Sequence, residues 1–193
     1  MVVCGGLRGV MEAVARGADV TLISGPTNLA APAGVARVDV QSAREMRDAT
    51  VRAFEGADIA VLSAAVADYE ASEIATRKIK KGDGPLTLTL RRTPDIAAEL
   101  GACKGDRLIV AFAAETDDPL ANAREKLRRK NADIIVVNDI TQPGAGFGGD
   151  TNIVTILADD GAVDKLPLMS KRQVAARIFD AVCAKRATVE AGA

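Results

Sequence analysis

The chain has 193 residues, a formal net charge of −1 and no histidine. Without histidine there is no Ser-His-Asp triad, no His-ligated metal and no histidine general base, so any chemistry must use carboxylates, lysines, backbone dipoles or a loosely held hard cation. The charge is too small to attract nucleic acid or an acidic membrane, and an aromatic content of only 3% disfavours base stacking on single strands.

The first half of the chain alternates between helical patterns and short apolar runs. A helical segment at 8–18 is followed by the runs DVTLIS (19–24) and DIAVLSA (58–64). Both runs are almost continuously apolar, which is typical of strands that are covered on both faces. Between them, residues 42–56 have the pattern of a helix with a serine cap and a terminal glycine.

The same alternation continues in the second half. The runs RLIVAFA (107–113) and DIIVVN (133–138) flank a helical pattern at 117–131, which opens with acids and ends with bases. Repeated strand-helix units predict an α/β fold, a Rossmann-like three-layer sandwich with a mostly parallel sheet and right-handed crossovers.

The C-terminal region has a different pattern. Residues 151–168 predict an antiparallel hairpin that turns at Asp160-Gly161, and residues 170–187 predict an amphipathic closing helix. We expect one domain over 1–186 and a frayed end at 187–193.

Two segments interrupt the alternation. The run PLTLTL (85–90) alternates apolar and polar residues and predicts an exposed antiparallel strand or arm. The glycine-rich segment GAGFGG (144–149) precedes a strand rather than a helix, so it is expected to be a flexible loop or lid.

The pair of glycines in GGLRGV (5–10) does precede a helix, but we expect no strand before it, because only Met1 to Cys4 remain.

The cysteines and the termini bear on the compartment. Cys4, Cys103 and Cys183 are odd in number and widely spaced, so they fit neither a disulfide framework nor a zinc site, and core filling in a reducing cytosol is the expected role. No stretch is apolar enough to span a bilayer, and the N-terminus lacks the apolar region of a signal peptide. The expected location is the cytoplasm.

A ligand site is expected where the predicted parallel strands end. Ligands in open α/β sheets bind beyond the carboxyl ends of the strands, and the four readable ends carry ISGPT, AAVADY, AFAAET and VVNDI. Small residues there would let a ligand approach the backbone. Asp68 and Glu115 are expected at the rim of this crevice, with Asn138 and Asp139 nearby.

Lysines near these ends suit a phosphate ligand. Lys126 and Lys130 are spaced i, i+4 and share one helix face, and Lys78 comes from the segment after Asp68. Three converging ammonium groups would suit a triphosphate or a phosphorylated acid. The alternative is a solvated helix face and a charged edge strand, and the pattern alone leaves both open.

Several motifs, in order, resemble the phosphopantothenate–cysteine ligase (phosphopantothenoylcysteine synthetase) family, the ligase domain of a bacterial bifunctional coenzyme A biosynthesis protein. They are RGADVTLISGPTNLAAPAGVARVDVQSAREM, AAVADY, KIKK, TPDIAAEL, FAAET, KLRRKNADIIVVND and the GF of the glycine loop, and together they span about residues 16–182.

The resemblance implies a reaction and a set of contacts. CTP would activate the carboxylate of 4′-phosphopantothenate as a phosphopantothenoyl-cytidylate with loss of pyrophosphate, and the amine of L-cysteine would then displace CMP. Mg²⁺ is the implied cation, although its ligands are unknown. Lys78 is the implied catalytic residue, and the implied CTP contacts are Leu62, Ser63, Ala64, Asp68, Lys78, Thr93, Pro94, Asp95, Ile96, Phe112, Lys126 and Lys130.

The resemblance also implies partners. The family is dimeric, with an arm for which residues 85–90 are the candidate, and a flavin-dependent decarboxylase domain often precedes the ligase. Neither nucleic acid nor membrane is an expected partner.

The match fails at the front of the chain. The family has a first strand and a phosphate-binding turn with serines, an arginine and an asparagine, whereas this chain begins MVVCGGLRGV. We therefore expect the strand and the turn to be missing, and ligase turnover to be impaired while some CTP affinity survives.

Two other functions compete with the ligase. An NAD(P)-dependent reductase would need a glycine turn after a first strand, and Tyr69, the one tyrosine, is followed at position 73 by Glu73 rather than the lysine of a Tyr-x-x-x-Lys pair. A non-catalytic nucleotide-binding or assembly module is the second alternative.

Overall fold

The computed structural model describes residues 1–81, 84–115, 118–139 and 149–192. The helices are α1 (Leu7–Ala15), α2 (Ala43–Phe54), α3 (Ile96–Ala102), α4 (Pro119–Arg129) and α5 (Lys171–Gly192). The strands are β1 (Val2–Cys4), β2 (Thr21–Ser24), β3 (Ala36–Asp39), β4 (Ile59–Leu62), β5 (Tyr69–Ala71), β6 (Leu90–Arg92), β7 (Leu108–Glu115), β8 (Ile134–Asp139), β9 (Thr151–Asn152), β10 (Val154–Ala158), β11 (Val163–Lys165) and β12 (Met169–Ser170).

The central sheet has eight strands in the order β11-β10-β8-β7-β4-β1-β2-β3. Strands β3, β2, β1, β4, β7 and β8 pair in parallel, and β10 and β11 continue the sheet in antiparallel pairs. This arrangement confirms the predicted Rossmann-like fold with a C-terminal hairpin. Two small antiparallel ladders, β5–β6 and β9–β12, lie outside the sheet.

Helices cover both faces of the sheet, which produces the predicted three layers. Val10 of α1 and Ile178 of α5 are buried in one core cluster, which we call the α1/α5 face. Met46, Leu100 and Leu127, from α2, α3 and α4, are buried in a second cluster on the opposite face. Strands covered on both sides must be apolar throughout, which explains the continuous runs that the sequence shows.

Side chains define where the helices begin. The hydroxyl of Ser42 accepts the backbone N–H of Glu45, and the Glu45 carboxylate in turn accepts the N–H of Gln41, so both side chains cap the start of α2. The carboxylates of Asp95 and Asp118 accept N–H groups in the first turns of α3 and α4.

The expectation that no strand precedes the first helix is wrong. Val2–Cys4 forms β1 in the middle of the sheet, paired with β2 on one side and β4 on the other. Three residues are too short to show a periodicity, and the strand forms because two buried neighbours accept and donate its backbone hydrogen bonds.

Two boundaries also differ from those predicted. The arm predicted at 85–90 is exposed, but only its last residue, Leu90, belongs to a strand, β6, which pairs with β5. Helix α5 continues past Arg186 to Gly192, so most of the segment expected to be a frayed end is helical, and its fraying stays a prediction. Within the described ranges, no helix combines the length and hydrophobicity that crossing a membrane requires.

Candidate functional site

The centre of the sheet contains a topological switch point between β1 and β4. From β1 the chain order leads outward through β2 and β3, and from β4 it leads in the opposite direction through β7 and β8. Such folds bind ligands in a crevice beyond the carboxyl ends of the strands beside the switch point. Gly5–Gly6 follow β1 and Ser63–Ala64 follow β4, so both segments lie at that place.

The two loops fit closely together. Gly5 and Gly6 have φ angles of 79° and 59°, which only glycine adopts without strain. A Cβ on Gly6 would lie 2.4 Å from Ser63 Oγ, and one on Gly5 would lie 3.0 Å from the Ala64 backbone. Ser63 Oγ donates to the carbonyl of Cys4 at 3.0 Å. Both positions therefore require glycine, because the backbone has a positive φ angle and because a Cβ atom would clash with the loop after β4.

Helix α1 begins directly after this turn. Gly6 precedes its first residue and supplies no capping side chain, so the first N–H groups of α1 face the carboxyl ends of β1 and β4 without a side-chain acceptor. Such a helix start favours an anion. The sequence predicted no strand before the GGLRGV motif, and the paired glycines were the signal available.

A second group of predicted residues gathers beside α3. The Thr93 hydroxyl donates to the carbonyl of Ala67 at 2.6 Å, and the Thr93 N–H donates to the carbonyl of Asp68 at 3.0 Å. These two bonds join the TPDI motif to the AAVADY motif, as a shared site requires. The Asp68 carboxylate itself is exposed.

Asp95 and Lys130 form the central contact of this group. Lys130 Nζ lies 2.9 Å from Asp95 Oδ1, and the same oxygen accepts the N–H of Ala98 at 3.1 Å. Burial raises the pKa of Asp95, but the hydrogen bonds from Lys130 and Ala98 outweigh it and hold that pKa below its ordinary value. Lys130 follows α4 near the amino end of β8, and its side chain reaches back to the start of α3.

The other predicted site residues differ from one another in how far they are exposed to solvent. Ile96 is buried in the core and Pro94 is half-buried, whereas Phe112 is 39% exposed on the α1/α5 face. Lys126 is half-buried and has a partner of its own. Lys78 is exposed and forms no hydrogen bond or ion pair with the described residues. Its convergence with Lys126 and Lys130 stays a prediction.

Some predictions fall outside the described part of the chain. The side chains of Glu115 and Asp139, and the glycine-rich segment at 140–148, are not among the described residues.

Cation binding would depend on the ligand. The described residues contain no cluster of three or more Cys, Asp or Glu that could hold a metal. Mg²⁺ bound through polyphosphate needs only one or two carboxylates from the protein. The exposed Asp68, in the segment between β4 and β5, fits that requirement.

The cysteines divide into two kinds. Cys4 is buried, and burial raises its pKa to about 11 even though a hydrogen bond with Thr50 lowers it, so the thiol stays neutral and unreactive. Core filling is therefore right for Cys4. It is wrong for Cys103 and Cys183, which are both exposed.

The fold and the glycine turn define the class of protein: a Rossmann-like α/β domain with that turn at its switch point. The chain belongs to the DNA/pantothenate metabolism flavoprotein C-terminal domain family, whose model matches residues 6–185.

Named relatives agree with this family. The chain is 49% identical over 173 residues to the coenzyme A biosynthesis bifunctional protein CoaBC of Bacillus subtilis (strain 168), covering 89% of this chain and 43% of that protein. It is 43% identical over 176 residues to CoaBC of Escherichia coli (strain K12), covering 88% and 43%. The chain thus spans less than half the length of these curated relatives.

A solved structure extends the similarity to three dimensions. The crystal structure of the C-terminal domain of CoaBC matches with a TM-score of 0.79 and 33% sequence identity, covering 94% of this chain and 92% of that one.

Proposed function

We propose that this chain is an acid–amino-acid ligase that joins 4′-phosphopantothenate to L-cysteine at the expense of CTP, a step in coenzyme A biosynthesis. The observation that carries the proposal is the switch point between β1 and β4, where the Gly5–Gly6 turn and Ser63–Ala64 meet at the start of α1 in a member of this family. That place suits a nucleotide and its phosphates.

The proposed reaction proceeds in two displacements. A carboxylate oxygen of the acid attacks the α-phosphorus of CTP, and pyrophosphate leaves. The amine of cysteine then attacks the acyl carbon of the resulting cytidylate, and CMP leaves. Neither step requires histidine if the substrates are held in line, which agrees with the absence of that residue.

Charge neutralisation is the main task of the side chains. A carboxylate and a triphosphate repel each other, and Lys78, Lys126 and Lys130 would offset that repulsion and stabilise the departing pyrophosphate. Lys78 is the residue proposed for the reacting phosphates because, being exposed and unpaired among the described residues, its ammonium is available to a ligand. Bound Mg²⁺ would add positive charge at the phosphates, with Asp68 as its protein ligand.

The remaining proposed nucleotide contacts have structural roles that are compatible with binding. Thr93 ties the residues before α3 to the segment after β4, Asp95 caps α3, and Phe112 presents a half-exposed ring. Leu62 to Ala64 would contact the nucleotide through their backbone.

We also propose that the chain acts as a homodimer. Leu86, Leu88 and Leu90 are 65%, 63% and 55% exposed, and such a row of apolar side chains favours burial against a second copy. Sedimentation of the wild type and of a Leu86→Ser, Leu88→Ser double variant should give a dimer and a monomer, respectively. A monomeric wild type at micromolar concentration contradicts the dimer. A decarboxylase domain as a further partner, and a location in the cytoplasm, stay predictions.

The ligase proposal is tested by product formation. The purified chain with CTP, Mg²⁺, 4′-phosphopantothenate and cysteine should release pyrophosphate and form a product whose mass equals the amide of the two acids. Lack of both turnover and CTP binding would refute the ligase.

Matched charge variants give the control. Lys78→Gln should abolish detectable turnover, whereas Lys165→Gln, which removes the same charge from edge strand β11, should leave it unchanged. Thermal shifts with CTP, ATP and NADPH separate the alternatives. Stabilisation by NADPH alone would favour a reductase, and no response to any of the three would favour an assembly module.

A further inference from the structure

The carboxylate of Glu70 joins the β5–β6 ladder to helix α2. Glu70 Oε1 accepts a hydrogen bond from Arg44 Nε of α2 at 2.6 Å and another from Arg91 Nε of β6 at 2.7 Å. Glu70 and Arg91 lie directly opposite each other in the ladder, so they share one of its faces. The hydrogen bond from Arg44 outweighs desolvation and holds the pKa of Glu70 below its ordinary value, so the carboxylate is charged at neutral pH.

The ladder has few other contacts that hold it against the domain. Glu70 is partly buried, and the other residues of the two strands are exposed: Tyr69, Ala71, Leu90, Arg91 and Arg92. In the described part of the chain, no other side chain of the ladder forms a hydrogen bond or ion pair with a helix. An element without buried apolar side chains gains little from packing, so its position depends on its polar contacts.

The segment that connects β5 to β6, residues 72–89, contains Lys78. Its described residues, 72–81 and 84–89, are all exposed except Ser72, which is partly buried. The N–H and the hydroxyl of Ser72 both donate to the carbonyl of Thr89 at 2.9 Å, so the two ends of the connecting segment are held together. The direction of the connecting segment is therefore set by the ladder at its base, and Glu70 fastens that ladder to α2.

We propose that Glu70 is a positioning residue for the proposed ligase reaction: its carboxylate fixes the ladder on α2 and so directs Lys78 to the phosphates of the bound nucleotide. The inference rests on the proposed function. Helix α2 is a suitable anchor, because Met46, Ala49 and Phe54 bury it in the core. Precise placement matters, since a shift of about 1 Å in a group that acts on a substrate can lower a rate about a hundredfold.

The Glu70→Gln variant tests the proposal, because it keeps the size of the side chain and removes its charge. The kcat of ligation should fall at least about tenfold, whereas the Kd for CTP, measured by calorimetric titration, should change by a smaller factor. The melting temperature should change little, because Arg44 and Arg91 are 49% and 52% exposed and such pairs contribute little to stability. An unchanged kcat, with or without a lower melting temperature, overturns the proposal.

Asp164→Asn is the matched control. It removes the same charge from a surface pair with Arg177 at the opposite edge of the sheet, so it should leave both kcat and Kd unchanged. Arg44→Gln removes the helix side of the Glu70 contact and should lower kcat by a factor similar to that of Glu70→Gln. The double variant should lose no more than either single variant, because the two residues act as a unit. Multiplied losses in the double variant would contradict the shared role.

Lysine acetylation, read by peptide mass spectrometry, reports the position of Lys78 without turnover. CTP with Mg²⁺ should slow acetylation of Lys78 and Lys130 in the wild type, and of Lys130 only in Glu70→Gln. Equal protection of Lys78 in both proteins, or protection of Lys130 alone in the wild type, overturns this inference while the nucleotide site stands. Protection of neither lysine in the wild type overturns the proposed function and this inference with it.

Discussion

Lys130 and Asp95 are joined by a 2.9 Å contact that ties the end of α4 to the first turn of α3. The Lys130 side chain is 21% exposed and that of Asp95 is 43% exposed, so the pair is only partly screened by solvent. Because Asp95 also caps α3, the ammonium is held at a defined place beside the TPDI motif. A fixed cation loses less entropy when it binds phosphate or a base than a free one does.

The first prediction concerns Lys130. Lys130→Met keeps much of the aliphatic stem and removes the charge, so CTP should bind at least tenfold more weakly, as expected for the loss of a hydrogen bond from a charged group. Calorimetric titration measures the dissociation constant. Lys165→Met on edge strand β11 is the control, and equal CTP affinity in both variants would exclude Lys130 from the nucleotide site.

The second prediction separates the two reasons for glycine at position 5, which are the positive φ angle and the lack of room for a Cβ atom. Gly5 and Gly17 have φ angles of +79° and +82°, but a Cβ on Gly17 would meet nothing within 4 Å, whereas one on Gly5 would lie 3.0 Å from the Ala64 backbone. Gly17→Ala should cost about 1–2 kcal/mol through backbone strain alone. Gly5→Ala should cost a further 1–3 kcal/mol or so through overpacking.

Denaturant unfolding of the two glycine variants measures the difference. Gly5→Ala should also weaken nucleotide binding, because the loop after β1 must move away from the loop after β4. Equal stability of the two variants would mean that the loops are not packed as described.

The third prediction concerns the buried pair between Asp133 and Lys104. Asp133 Oδ1 lies 2.6 Å from Lys104 Nζ, and Oδ2 accepts the N–H of Ile109 at 2.8 Å. Asp133→Ala would leave an ammonium and a backbone N–H unpaired in a buried position, so unfolding free energy should fall by about 3–5 kcal/mol.

A surface pair supplies the comparison for Asp133. Asp164 and Arg177 are joined at 2.6 Å, but their side chains are 47% and 49% exposed. Asp164→Ala should therefore change the unfolding free energy by no more than about 1 kcal/mol. A loss of similar size in both variants would contradict the buried character of the Asp133 pair.

The fourth prediction concerns thiol reactivity. At pH 8, iodoacetamide should label Cys103 and Cys183 readily and Cys4 only on unfolding, as read by peptide mass spectrometry. Cys4 has a pKa raised to about 11, so its neutral form is favoured by folding. Its contribution to stability is full below the unfolded pKa of about 8.5 and is lost as pH rises toward 11.

The Cys4→Ala variant tests whether Cys4 makes stability fall as pH rises. The variant should lose less stability than the wild type between pH 8.5 and 11, because it lacks the thiol that ionises preferentially in the unfolded chain. Rapid labelling of Cys4 in the folded protein would contradict its burial.

The sequence by itself determined the class of fold and the order of its main elements. The strands β2, β4, β7 and β8 are covered on both faces, so burial forces them to be apolar and makes them visible as runs. The helices α2 and α4 carry their caps within their own segments, and the hairpin turn at Asp160-Gly161 is also local. Information of this kind is contained within a few neighbouring residues.

Only the tertiary structure decided the features that depend on distant partners. Val2–Cys4 is a strand because β2 and β4 flank it, and polar β3 is a strand because β2 offers it an edge. The fit of Gly6 to Ser63 and the contact of Asp95 with Lys130 both follow from how the strands and helices pack together. No local pattern encodes them, because each depends on an environment assembled from residues far apart in the chain.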